Sequence, residues 1–215
     1  MELTGKSILV IGASGVLGQE FVRQLAAKGA NVIATARSNE SAAKIPDVAG
    51  LKLLLDLSNQ SSIDTLVNYL SSAVELAGVV VAAGRVAFGP AATMPREAVA
   101  ELNQTNYLAP MEILNRLQPN LAKQDESFVL NVSGIVASTP MPQMAHYSAS
   151  KAAIHGFLIG VTREWRRDGI KVISSLLGHT ETGLATRPIF GESPKLPQGL
   201  SPVEAVRQML DETLA

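Results

Sequence analysis

Tyr147 and Lys151, in the run Tyr147-Ser148-Ala149-Ser150-Lys151, carry the clearest chemical potential in this chain. At i and i+4 they share one face of a helix. A lysine ammonium beside a phenol favours the phenolate and lowers the tyrosine pKa from ~10, which makes the phenol a usable acid–base near neutrality. The same spacing also describes an ordinary exposed helix pair, and the pair alone leaves both readings open. A second signal is Ile11-Gly12-Ala13-Ser14-Gly15-Val16-Leu17-Gly18. Gly12 permits a tight turn, Gly15 lets backbone approach a pyrophosphate, and Gly18 lets a helix pack closely on a strand. Ser14, Val16 and Leu17 belong to the same turn, where a helix N-terminus offers free N–H groups and a positive dipole end to phosphates. A glycine-rich turn with no ligand is the alternative.

Two further positions bear on a nucleotide. Folds that prefer NAD place an acidic residue after the second strand for the ribose hydroxyls. This chain has Arg37 there, followed by Ser38. A guanidinium can take the 2′-phosphate of NADP by a bidentate contact, although a solvated surface charge is the plainer alternative. Asp56, before Leu57 and Ser58, can accept from an adenine amino group or cap the next helix. His146, His155 and His179 have no partners at metal-ligand spacing, so no metal is expected.

These residues need a frame, and the apolar pattern supplies one. Ser7–Ile11, Val32–Thr35, Leu51–Leu55, Val79–Ala83, Phe128–Val132 and Val172–Leu177 are short apolar runs, suited to strands buried on both faces. Between them, Gly15–Lys28, Ser61–Glu75, Arg96–Lys123, Ala145–Arg167 and Pro202–Leu214 have helical spacing. Alternation of this kind predicts an α/β fold: a doubly wound, Rossmann-type parallel sheet of about six strands in a single domain over 1–215. Residues 183–200 hold three prolines and read as a substrate or lid loop.

Composition narrows the function classes. Hydrophobic residues make up 47% of the 215 and charged residues 17%, against roughly 25% charged in soluble proteins generally. Disorder is thereby excluded. A formal net charge of −1 argues against a nucleic-acid partner held by a basic surface. There is no cysteine, hence no disulfide framework or thiolate nucleophile. No apolar run approaches the ~20 residues of a membrane span, and no leader is visible. A cytoplasmic protein with no membrane partner is the expectation.

The order of these pieces resembles the short-chain dehydrogenase/reductase family along nearly the whole chain. The glycine loop, Asp56-Leu57, a strand ending in Ala83-Gly84, Asn106, the Ser133 region, Tyr147-x-x-x-Lys151 and Gly178 to Thr182 occur in the family's sequence. The resemblance implies an NADP(H)-dependent oxidoreductase, with NAD(H) as the lesser option, acting on a small-molecule carbonyl or alcohol. Tyr147 would be the acid–base, and Lys151 would hold the nicotinamide ribose and tune Tyr147. Asn106 would hold a relay water, and Thr182 would touch the nicotinamide amide. Asn106 also has a physical argument: Pro110 has no N–H, so the carbonyl of residue 106 loses its helical partner.

Departures from the family pattern are specific. The family's catalytic serine stands thirteen residues before the tyrosine, which is Gly134 here, with Ser133 one residue earlier. A one-residue shift on a strand reverses the side chain unless the backbone turns there. The family's Asn-Asn-Ala-Gly is Val81-Ala82-Ala83-Gly84, and its Pro-Gly is Leu177-Gly178. A seventh strand is expected to be absent. The alternative function is an NADP-binding regulatory protein with little turnover. Met141, Met144, Phe88 and Ile189-Phe190 suggest an apolar wall. The resemblance also implies a homodimer through the two long helices, where Trp165, Leu158 and Val161 face either the partner or the sheet.

Overall fold

The computed structural model describes all 215 residues. The strands are β1 (Ser7–Ile11), β2 (Asn31–Ala36), β3 (Leu51–Leu54), β4 (Leu76–Val81), β5 (Ser127–Val132) and β6 (Ile170–Ser175). They form one six-stranded sheet in the order β3-β2-β1-β4-β5-β6, with every pairing parallel. The helices are α1 (Val16–Ala27), α2 (Asn39–Ala42), α3 (Gln60–Ala73), α4 (Arg96–Asn103), α5 (Ala109–Leu121), α6 (Ala145–Trp165) and α7 (Pro202–Leu214).

Because side chains alternate along a strand, each sheet face builds its own core. Leu9, Ile11, Val79 and Val129 pack against α3, α5 and α6. Ile8, Val10, Val80 and Leu130 pack against α1 and α7. A third, smaller cluster unites Val86, Phe88, Leu102, Val136, Met144 and Tyr147 beyond the strands' carboxyl ends. Strand order reverses between β1 and β4, and crevices for ligands open at the carboxyl ends of such a switch point.

Several boundaries differ from the sequence expectation. The sixth strand ends at Ser175 rather than Leu177, and the fourth runs from Leu76 to Val81 rather than from Val79 to Ala83. The segment expected as one interrupted helix over 96–123 is α4, a π turn over Gln104–Leu108, then α5. In the π turn the Ala109 N–H donates to the Gln104 carbonyl, one residue further back than in an α-helix. Pro110, with no N–H to give, breaks the α ladder here, and the widened turn accommodates it. Trp165 and Leu158 are buried in the sheet core, which decides their orientation.

The segment 183–200 is pinned at its base. Leu200 N–H donates to the His179 carbonyl at 2.9 Å, and Glu181 N–H to the Leu200 carbonyl at 3.0 Å. Its middle is latched to the loop after β4: Phe88 N–H donates to the Phe190 carbonyl and Ile189 N–H to the Val86 carbonyl, each at 2.9 Å.

Candidate active site

The turn after β1 is built from glycine by necessity. Gly12 has φ +83°, and a Cβ there would stand 2.7 Å from the Ala83 backbone. A Cβ on Gly18 would land on the Gly12 carbonyl. Strand, turn and helix therefore close on one another only without side chains. The helix-capping residue Gly15 has no side chain to cap α1, and the first turn has no acidic residue. Its orphan N–H groups face outward with the positive end of the helix, a chemistry that suits a phosphate.

This turn forms one end of an open cleft of about 1310 Å³ along the strands' carboxyl ends. Gly12, Ser14, Gly15, Val16 and Leu17 line it, with Arg37, Asp56, Leu57, Ala83 and Gly84 beyond. Tyr147, Lys151, Ser133 and Thr182 line the other part. Gly18 lies behind the wall, against Gly12. Ser38 is also outside it: its hydroxyl accepts from Ser41 N–H at 3.3 Å, while its own N–H donates to Ser41 Oγ at 3.0 Å. That reciprocal cap starts α2. Ser41 and Lys44 stand in the wall beside Arg37, two residues the sequence pattern did not single out. Only the short turn of α2 brings Lys44 back toward the β2 end.

Asp56 accepts from Ser58 Oγ at 2.7 Å and Ser58 N–H at 2.9 Å. These bonds, and after them the guanidiniums of Arg37 and Arg85, hold its carboxyl below the usual range. Arg85 is paired with Glu101 at 3.0 Å. One end of the cleft thus combines two guanidiniums, an ammonium and two carboxylates, Asp56 held by Ser58 and Glu101 paired with Arg85.

At the other end, Tyr147 and Lys151 are both buried. Burial pushes the Tyr147 phenol up to about 12 and the Lys151 ammonium down to about 8. Lowering of the phenol by the lysine, the sequence expectation, is not what this arrangement gives. Lys151 Nζ donates instead to the Val132 carbonyl at 2.8 Å. Desolvation therefore sets both groups toward their neutral forms, and a protonated Tyr147 can donate at neutral pH.

Asn106 sits in the π turn, behind the cleft wall. Its Oδ1 accepts from Arg85 N–H at 2.8 Å, and its Nδ2 donates to the Arg85 carbonyl and to Ser150 Oγ, each at 2.9 Å. Ser150 Oγ donates in turn to the Tyr147 carbonyl at 2.7 Å. Through Ser150, Asn106 ties the loop after β4 to the turn that carries Tyr147. A Cβ on Gly84 would stand 3.4 Å from Lys151 Nζ and 3.5 Å from Asn106 Oδ1, so the three residues border one another.

The serine question has a geometric answer. Ser133 Oγ accepts from Asn131 Nδ2 at 2.7 Å and lies 2.7 Å from Ser174 Oγ, which is 2.8 Å from His155 Nδ1. Its hydroxyl is engaged along the β5–β6 rim under α6. Gly134 turns the chain with φ +83° and ψ 153°. Thr182 Oγ1 accepts from Leu184 N–H at 3.2 Å. Of the expected apolar wall, Phe88, Met141 and Met144 line the cleft, whereas Ile189 and Phe190 pack behind it.

An alternating parallel sheet with its cleft at the switch point is a Rossmann-type fold. The chain belongs to the short chain dehydrogenase family, whose model matches residues 6–188, and is an oxidoreductase of that family. The uncharacterized oxidoreductase YmfI of Bacillus subtilis is 28% identical over 187 residues, 83% of this chain and 76% of that protein. The 3-oxoacyl-acyl-carrier-protein reductase FabG of Vibrio cholerae is 28% identical over 190 residues, 86% of this chain and 77% of that protein. Among solved structures, a short chain dehydrogenase from Burkholderia cenocepacia in complex with NADP superposes with a TM-score of 0.85 at 24% identity, covering 99% and 85% of the two chains. A 3-ketoacyl-acyl-carrier-protein reductase from Brucella melitensis complexed with NADH gives 0.83 at 23% identity, covering 95% and 89%. These two structural likenesses establish the fold.

Proposed function

We propose that this chain interconverts a carbonyl and an alcohol with NADP(H), binding the cofactor between the glycine turn and Thr182. The observation that carries this is the burial of Tyr147 and Lys151 together in the wall of the cleft that begins at the glycine turn. A bound reduced nicotinamide supplies the hydride. Tyr147 holds the substrate oxygen and gives it the phenolic proton as the carbonyl's π pair moves onto that oxygen. The phenolate then recovers a proton from solvent. Lys151, one helical turn away and anchored on the Val132 carbonyl, is placed to hold the nicotinamide ribose. Asn106 and Ser150 fix the turn on which Tyr147 rides. Solved relatives carry NADP in one case and NADH in another. Arg37 and Lys44 at the β2 end support NADP(H) here.

Tyr147→Phe removes the proton donor and leaves the glycine turn intact. Carbonyl reduction should fall by roughly 10²–10⁴-fold, while NADPH binding followed by fluorescence persists. Undiminished turnover in that variant would refute the mechanism. NADPH binding by the wild type without turnover on any carbonyl would leave a nucleotide-binding regulator. We also infer a homodimer, supported by the outer face of α6, where Ala145, Ala149, Gly156, Ile159 and Gly160 are exposed and uncharged.

A further inference from the structure

The charges in the cleft wall divide unevenly between its two ends. Its carboxylates, Asp56 and Glu101, both stand at the nucleotide end. Of its cations, Arg85 is paired with Glu101, and Lys151 is tied to the Val132 carbonyl. Arg37 and Lys44 make no ion pair, which suits an end proposed to hold a phosphate-bearing nucleotide. Arg187 makes none either, and it lines the cleft from the segment whose Leu184 and Ala185 pack on the Tyr147 cluster, five residues after Thr182. The cleft wall around Tyr147 is otherwise apolar: Val86, Phe88, Val136, Met144, Leu184 and Ala185.

Arg187 is held in place by its own loop. Its Nε donates to the Gly183 carbonyl at 3.1 Å and one terminal nitrogen to the Thr182 carbonyl at 3.4 Å. The loop is itself latched to Phe88 and Val86. Two backbone carbonyls use part of the guanidinium fork and leave its other N–H donors without a protein partner, on a side chain that lines the cleft. A cation already fixed loses little rotamer freedom on binding an anion. We propose that the substrate is an apolar carbonyl compound that also carries a carboxylate or similar anionic group, which Arg187 binds while Tyr147 serves the carbonyl. This rests on the oxidoreductase function proposed above.

The cofactor's own phosphates are the other anions Arg187 could meet, and the test separates the two. Straight-chain (ω−1)-oxo carboxylates of six to ten carbons would be compared with their methyl esters at saturating NADPH. The wild type should prefer the best-fitting acid over its ester by roughly tenfold in kcat/KM, the worth of a charge-assisted hydrogen bond, chiefly through KM. In Arg187→Gln the acid-to-ester ratio should fall to near one, and in Arg187→Glu it should invert. Turnover of both members with equal kcat/KM overturns the inference, as does a weaker NADPH affinity in Arg187→Gln with the acid-to-ester ratio unchanged. If other carbonyls are reduced and no member of any pair is, this inference alone fails; if NADPH binds and no carbonyl of any kind is reduced, the function proposed above fails and this one with it.

Discussion

Lys151 makes plain how far a buried ammonium is governed by its surroundings. Its position four residues after Tyr147 suggested a pair in which the lysine acidifies the phenol, but spacing carries no information about desolvation. In the folded chain burial dominates, taking Lys151 down to about 8 and Tyr147 up to about 12. The consequence for stability has a definite sign. Between pH 8 and the ordinary lysine value of about 10.5 the unfolded chain binds the extra proton, so stability from this site rises with pH through that window. The stability of the wild type minus that of Lys151→Met should therefore increase by on the order of 2 kcal/mol from pH 7 to pH 10, read from urea unfolding at each pH. Parallel pH profiles would show that Lys151 is not desolvated. Tyr147 is present in both proteins and cancels. Gly134 yields a second residue-scale expectation. Restoring the family's serine there puts a side chain at φ +83°, a conformation that costs of order 1–3 kcal/mol outside glycine. Gly134→Ser should lower the unfolding midpoint without raising turnover. The sequence exposed the missing serine. It did not show that Ser133 had turned onto Asn131 and Ser174, because that depends on β6, whose register is set by distant pairing.

At the scale of elements, the six apolar runs and the long helices were readable because strands buried on both faces need unbroken apolar sequence. The ends of those elements were less readable. The chain leaves β6 at Ser175, although Leu176 and Leu177 continue the apolar run. Apolar composition marks burial, whereas a strand ends where its hydrogen-bonding partner ends. The sequence also gave no sign of Asn120. It lies on α5 after an internal proline, almost fully buried. Its Oδ1 accepts from Leu76 N–H at 2.8 Å, and its Nδ2 donates to the carbonyls of Leu70 and Val74 at 3.2 and 2.7 Å. One side chain thus terminates α3 and starts the central strand β4. Asn120→Ala would strand buried backbone groups, each costing about 1–3 kcal/mol, and should lower the thermal midpoint by several degrees. A wild-type midpoint in that variant would remove Asn120 from this role. The short α2 raises a question of cofactor choice, since it folds Lys44 back beside Arg37. Arg37→Ala and Lys44→Ala should each weaken NADPH binding by roughly tenfold and leave NADH binding unchanged. Equal weakening for both cofactors would point to the pyrophosphate instead.

For the whole molecule, the low charge content has a structural origin in two layers of helices over one parallel sheet, and α6 adds to it. Trp165 and Leu158 were candidates for a subunit interface, and the fold commits both to the sheet core. That leaves α6 with apolar side chains on two faces. Ile159 keeps 60% of its surface exposed, and between Lys151 and Arg163 the helix carries no Lys, Arg, Asp or Glu. An isolated exposed isoleucine needs no explanation, but here it sits between Gly156 and Gly160, whose missing side chains leave open space around the helix. A second copy crossing this face could approach closely and bury Ile159 against its equivalent. A stable dimer needs roughly 1,200–2,000 Å² of buried surface in all, which requires α5 to contribute alongside α6. The wild type should sediment as a dimer at micromolar concentration. Ile159→Lys places two ammonium groups at the centre of the interface, with no core contact to disturb, so it should sediment as a folded monomer with unchanged far-ultraviolet circular dichroism. A wild type that sediments as a monomer, or an Ile159→Lys protein that remains dimeric, would move the interface away from α6 or abolish it.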